Sequence, residues 1–337
     1  MGIDLPVIWA TIIAVGVMIY VILDGFDLGI GLLFPFIPQR VERDTMVNTV
    51  APVWDGNETW LVLGGAALFA AFPLAYSTIL SALYFPMMLM LAGLIWRGVS
   101  FEFRFKAEDS RKPLWDVAFC AGSYLATFAQ GIALGAFVNG FRLEGNTFVG
   151  GQFDWLTPFS IFTGLALVVA YMMLGSTWLV MRTKGDLHNR MRMLGQCTSV
   201  ALFLMIVVVS IWTPLFHDRV AARWFSLPNL AIFAPVPVLV VLATVLQVWT
   251  LRRNGTGAQP FVMGLILMFL GYTGLAISMW PFVIPPSISI WAASAPSESM
   301  GFALVGTLLI IPVILVYTTW SYYVFRGKVE PGEGYHE

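Results

Sequence analysis

Charge is what this chain has least of. Only 11% of its 337 residues are Asp, Glu, Lys or Arg, whereas a soluble domain carries about 25%. The shortage runs along the whole length, and 58% of the residues are hydrophobic. Together these exclude a soluble domain and imply a polytopic membrane protein. A net charge of −1 offers nucleic acid nothing to bind. Cysteine is nearly absent: Cys120 and Cys197 lie in or beside apolar runs without CxxC spacing, so they read as small buried hydrophobes. Histidine is scarce, with three residues. His188 and His217 fall between apolar runs and His336 in the tail, which excludes a bis-histidine haem or copper site within the bilayer. The 16 methionines are scattered and read as core packing rather than axial ligands. No P-loop or GxGxxG is present to hold a nucleotide. On its own, then, the chain reads as redox-inert, with no metal or cofactor held by its own ligands. Met1-Gly2-Ile3-Asp4-Leu5 lacks the positive region of a signal peptide, and Pro6 breaks the myristoylation pattern. The first apolar run is therefore expected to be a retained span.

What the chain has in quantity is apolar runs of spanning length, which takes roughly 20 residues. Nine are expected: Pro6–Phe26, Val53–Phe72, Tyr76–Trp96, Trp115–Val138, Trp155–Val180, Leu194–Trp212, Leu230–Trp249, Phe261–Trp280 and Met300–Tyr323. They are continuous rather than alternating, so the expected fold is all-α, a membrane helix bundle forming one transmembrane domain over residues 1–337. With nine spans, the loops on one side carry 15 of the 18 Lys and Arg residues; Arg142, Arg219 and Arg223 lie on the other. Positive charge marks the cytoplasmic side, which places the N-terminus in the periplasm and the C-terminus in the cytoplasm. Trp54, Trp60, Trp96, Trp115, Trp155, Trp249 and Trp280 cluster near span ends, as an interfacial belt would. The isolated Gln130, Asn139 and Gln247 are expected to bond between helices. Two GxxxG patterns, Gly25–Gly29 and Gly131–Gly135, allow close helix contact.

Against this background four acids stand out. Asp55 and Glu58 open the second apolar run, and Asp24 and Asp27 lie late in the first. Each pair is three residues apart, a spacing that puts both members on one helix face. The topology gathers all four at one depth near the cytoplasmic face, with Arg97 as the nearest counter-charge. A charged carboxylate at the bilayer centre costs roughly 2.5–3.5 kcal/mol on insertion scales, so such groups are kept for a purpose, and proton relay is a frequent one. Asp55 and Glu58, with Asn57 and Thr59 beside them, could begin a proton path inward. The competing reading is helix capping by Asp55 or Asn57, favoured by the positive helix N-terminus. For Asp24 and Asp27, flanked by Gly25 and Gly29, structural bonding to backbone or Arg97 competes evenly with function.

The runs Asp24-Gly25-Phe26-Asp27-Leu28-Gly29-Ile30-Gly31, Asn48 through Leu61 with Trp54-Asp55-Gly56-Asn57 at its centre, Gly64 through Pro73, and Trp96-Arg97-Gly98-Val99-Ser100-Phe101-Glu102-Phe103-Arg104 carry a resemblance. The sequence resembles subunit II of cytochrome bd-type quinol oxidases over its whole length. Glu58-Thr59 is similar to the cyanide-insensitive branch. The resemblance implies a partner, subunit I, that carries haem b and haem d with their ligands. It implies oxidation of quinol and reduction of O2 to water in the bacterial cytoplasmic (inner) membrane, with protons drawn from the cytoplasm. In that family the Asp of Trp-Asp-Gly-Asn is assigned to the mouth of a proton path into subunit I, which here is Asp55. Some members hold a structural quinone, and a small single-span subunit and membrane lipids are further partners that it admits.

The function expected is thus that of a scaffold for subunit I that supplies part of a proton route. Two readings from other classes compete: a proton-coupled secondary transporter, which also uses buried acids, and a purely structural assembly subunit.

Overall fold

The computed structural model describes residues 4–253 and 257–329. The first three residues and His336 lie outside the described residues. At the start, the Asp4 carboxylate accepts a hydrogen bond from the Val7 N–H (3.2 Å) and caps the first helix. The chain then runs through α1 (Leu5–Leu33), a 3-10 turn (Phe34–Phe36), α2 (Arg40–Asn48), α3 (Trp54–Ala71), α4 (Pro73–Ala82), α5 (Tyr84–Lys106) and α6 (Lys112–Asn139). A hairpin of β1 (Leu143–Glu144) and β2 (Thr147–Phe148) leads to α7 (Pro158–Arg182), α8 (Gly185–Phe216), α9 (Asp218–Phe225), α10 (Asn229–Phe233), α11 (Pro235–Arg252) and α12 (Gln259–Met279). A second hairpin, β3 (Phe282–Ile284) with β4 (Ile288–Ser289), and the short α13 (Ile290–Ala293) precede α14 (Ser297–Val324). Prolines stand at the first or second position of α4, α6, α7, α11 and α12, where the missing N–H removes no helical bond. Thr157 and Ser160 form a capping box at the start of α7.

Eight of these helical stretches are long and apolar enough to cross a membrane. Two of the nine expected runs take a different form. Residues 53–72 are helical as α3, but Asp55, Asn57 and Glu58 in its first turns make it too polar to count with the other eight. The run at 76–96 is broken at Leu83 (φ −106°, ψ 21°): α4 is a separate ten-residue helix, and the spanning stretch begins only at Tyr84. A continuous apolar run conceals such a break, because hydropathy does not register a change of direction. The helix expected at 194–212 starts at Gly185 and takes in His188, which is therefore buried in a first turn rather than placed in a loop. Its Nδ1 lies 3.0 Å from the Val180 carbonyl oxygen. Trp60 leaves the interfacial belt too; it is buried inside the bundle.

At the centre of the bundle α7 packs between α1, α6 and α8. Both GxxxG segments face it. A Cβ at Gly29 would lie 2.0 Å from the Tyr171 carbonyl oxygen, and one at Gly131 would lie 2.6 Å from Gly164 Cα. Only glycine lets these backbones approach so closely. Gln130 and Asn139 do bond between helices, to Tyr20 and to Thr157 at the head of α7, while Gln247 reaches Met173. The last helix behaves differently. Among the described residues of α14 only Met300 is buried.

The loops gather at two ends. At one, Arg40 pairs with Asp109 (2.5 Å), Arg43 with Asp116 (3.1 Å), Arg104 with Asp116 (2.5 Å) and Asp44 (2.7 Å), and Arg190 with Glu42 (3.4 Å). The exposed Asp109 is held below the usual carboxylate range by a hydrogen bond from Lys112 and by the Arg40 charge. At the other end Asp4 accepts from the Trp291 indole, and the Trp9 indole donates to the Met300 carbonyl (3.2 Å). Arg104 is only 2% exposed, so Asp116 matters most to it. Replacing Asp116 with leucine is expected to cost about 1–3 kcal/mol, because the guanidinium loses its Nε acceptor while keeping Asp44. A thermal melt of the purified protein, with Asp109→Leu at the exposed pair as the near-neutral comparison, measures it.

Candidate functional site

Tyr20, Asp24 and Asp27 follow one another on α1 at i, i+4 and i+7, so they form a single stripe. The stripe turns inward: Asp24 and Asp27 are both 0% exposed. Buried carboxylates need a cation, and α5 supplies Arg97, also 0% exposed. Its Nη2 lies 3.6 Å from Asp24 Oδ1 and 3.7 Å from Asp27 Oδ2, which are ion pairs rather than hydrogen bonds. Its Nη1 donates to Glu58 Oε1 at 2.8 Å, a charge-assisted hydrogen bond. The Trp54 ring lies 5.2 Å from the guanidinium carbon and covers it. Three carboxylates thus surround one fixed cation, an excess of negative charge that attracts protons.

Two polar branches lead away from this cluster. On one, the Asn57 amide donates to Asp27 Oδ2 at 2.7 Å, and the Tyr322 hydroxyl of α14 donates to Asn57 Oδ1 at 2.8 Å. On the other, Tyr20 faces Asp24. Gln130 of α6 donates to the Tyr20 oxygen at 2.7 Å and accepts from the Tyr171 hydroxyl of α7 at 3.0 Å. Through these hydrogen bonds and the Arg97 ion pairs, α1, α3, α5, α6, α7 and α14 meet in one polar system.

Asp55 stands apart. The i, i+3 spacing was expected to turn Asp55 and Glu58 the same way, but the two differ by about 60° around the helix. That angle suffices to separate them here. Asp55 is exposed on an outward stripe with Thr59, Val62, Ala66 and Phe69, while Glu58 bends inward to Arg97 with its side chain 29% exposed. Neither Asp55 nor Asn57 caps α3; its N-cap is Val53, without a side-chain bond. Asp24, Asp27, Glu58 and Arg97 thus come together as expected, while Asp55 turns away from them. Sequence spacing alone did not single out Tyr20, Tyr171 and Tyr322. Tyr20 was within reach, four residues before Asp24 on the same face. Tyr322 left no local signal, since its partner Asn57 lies 265 residues away.

The arrangement is found in a chain with known relatives. A family profile described as cytochrome bd terminal oxidase subunit II matches residues 5–325. The chain belongs to that family. Among other members of the subunit II family, cytochrome bd-I ubiquinol oxidase subunit 2 of Escherichia coli (strain K12) is 30% identical over 358 residues, covering 96% of this chain and 94% of the relative. Cytochrome bd ubiquinol oxidase subunit 2 of Bacillus subtilis (strain 168) is 29% identical over 335 residues, 97% of each chain. A chain of the bd oxidase structure from Geobacillus thermodenitrificans matches with a TM-score of 0.77 at 19% identity, over 96% of this chain and 100% of that one, so the two share a fold.

Proposed function

We propose that the chain works as subunit II of a membrane quinol:O2 oxidoreductase, scaffolding a haem-bearing subunit I and carrying part of its proton supply. It is a multi-pass protein of the bacterial cytoplasmic membrane. In this reading α3 is a ninth crossing, the whole chain is one transmembrane unit, the N-terminus is periplasmic and the C-terminus cytoplasmic. Support for that orientation comes from the ion pairs joining the basic loops after α1, α5 and α7 at one end of the bundle.

The observation that carries the proton role is the buried cluster of Asp24, Asp27, Glu58 and Arg97, which has more carboxylates than cations. Asp55 belongs at the mouth of the route on the outward face of α3, where a neighbouring subunit can meet it. Glu58 stands between that face and the interior. Haem b and haem d belong to subunit I in this reading. His188 and His217 sit at opposite ends of the 32-residue α8 and cannot hold one haem iron between them. Among the described residues, no three His, Cys, Asp or Glu side chains converge on a metal position. The chain's own work is to hold and pass protons while quinol is oxidised and O2 reduced in the complex.

Two measurements test this. A tagged chain purified from membranes should bring haem absorbance with it; a colourless, solitary chain would sink the reading. Asp55→Asn in the complex keeps shape but removes the titratable group. Quinol oxidase turnover per haem is expected to fall about 10²-fold, the low end of what a positioned proton-transfer group contributes, with haem content unchanged. Wild-type turnover would leave only the scaffold.

A further inference from the structure

The start of α3 and the end of α14 do not close completely on one another. Between them lies a small cavity of about 20 Å³, lined by Gly56, Asn57, Thr318, Ser321 and Tyr322 among others. A cavity holds a water once about 10–15 Å³ is open to it and polar partners are at hand. This one meets both conditions. Its floor is the Asn57 side chain, which is 1% exposed and has its amide on Asp27 Oδ2 (2.7 Å). Its wall is Tyr322, whose hydroxyl holds Asn57 Oδ1 (2.8 Å) and whose ring stands against Phe26 and Trp178. Beyond it, α14 ends where the Phe325 carbonyl accepts from Arg182 (2.6 Å) and Lys328 donates to the Thr183 carbonyl, in the layer where the basic loops meet. Asn57 thus stands between the notch, which it lines, and Asp27, whose Oδ2 its amide covers.

We propose that this notch is the water inlet of the buried cluster, with Asn57 as its gate. This rests on the reading of the cluster as a station on the proton route. When the Asn57 amide swings off Asp27, a water in the notch takes its place. A proton arriving on that water forms an O–H bond with the Asp27 carboxylate, the water is left neutral, and Asp27 becomes a carboxylic acid beside Arg97. Tyr322 is a positioning residue: it sets where Asn57 rests. The inlet is distinct from Asp55, which lies on the outward stripe and is not among the residues lining the notch.

The test is to plug the notch in the assembled oxidase. Ser321→Leu places a branched side chain over the opening, and Gly306→Leu on the same helix, where a Cβ meets nothing within 4 Å, adds the same bulk away from it. Gly56→Leu plugs it from the α3 side, where a Cβ meets nothing nearer than Tyr317 at 3.9 Å. With proton delivery made limiting, turnover per haem of the plugged variants is expected to drop at least about tenfold near neutral pH. It should recover about tenfold for each unit of acidification, while Gly306→Leu follows the wild type. A purely structural effect would lower haem content and leave the pH profile of the remaining enzyme unchanged. Asp27→Asn separates the two levels of the argument. If Asp27→Asn stops turnover while both plugs run at the wild-type rate, the cluster stays on the route and the inlet is elsewhere. If Asp27→Asn is also silent, the proton-route reading falls with it. Plugs that slow turnover while Asp27→Asn does not would equally overturn the inlet, since the notch leads to no other carboxylate.

Discussion

Arg97→Met is expected to remove nearly all assembled oxidase from the membrane. The guanidinium is 0% exposed and is the only cation ion-paired to Asp24, Asp27 and Glu58 among the described residues. Methionine fills similar space without charge, so packing survives and the electrostatics do not. Breaking a buried pair from one side costs about 3–5 kcal/mol, because the partner charge is left uncompensated. Here three partners are left. Arg97→Lys should recover only part of the loss: an ammonium is a point charge and cannot serve Glu58 and both aspartates from the two ends of a planar fork. Neutralising the acids in the same chain provides the internal check. Arg97→Met combined with Asp24→Asn and Asp27→Asn should restore haem-containing complex in the membrane but not quinol turnover. Restored turnover would mean that the cluster serves only to hold helices together. Haem absorbance per milligram of membrane, followed by oxygen consumption, reads both.

How much of this could be read before the structure depends on whether the signal was local. The stripe Asp24, Asp27 and the anomaly of Glu58 were plain, because a carboxylate in an apolar run needs an explanation wherever it points. Arg97 followed from charge balance at the same depth. Asp55 was misjudged because sequence spacing fixes an angle, not which flank of the helix meets a neighbour. A difference of about 60° left Glu58 on Arg97 and Asp55 outside. The break at Leu83 was illegible for another reason. Hydropathy measures composition along the chain, and α4 and α5 are both apolar, so their separation does not alter it. Tyr322 and the notch depend on α14 coming to rest against α3, which no local pattern encodes.

The close crossing of α1 and α7 carries the second large effect. Gly29→Leu is expected to abolish accumulation of the chain, and Gly29→Ala to reduce it severely. A Cβ at Gly29 would stand 2.0 Å from the Tyr171 carbonyl oxygen and 3.0 Å from the Gly175 nitrogen, and both are backbone atoms that no rotamer change can move. The helices would have to part. Overpacking typically costs about 1–3 kcal/mol when side chains can yield, and here they cannot. The damage would also spread toward the site. Asp27 lies two residues before Gly29, Phe26 stacks on Trp178 of α7 at 4.3 Å, and Tyr171 holds Gln130 and through it Tyr20. A separation of α1 from α7 therefore loosens Asp24 and Asp27 together, even though no charge has been touched. Gly271→Leu on α12 is the control, since a Cβ there meets nothing within 4 Å. It should accumulate and turn over as the wild type does. If Gly29→Ala accumulated normally, α1 and α7 would have freedom to shift apart. The fixed 3.6–3.7 Å spacing of Arg97 from its two aspartates would then have to be maintained by α5 and α3 alone.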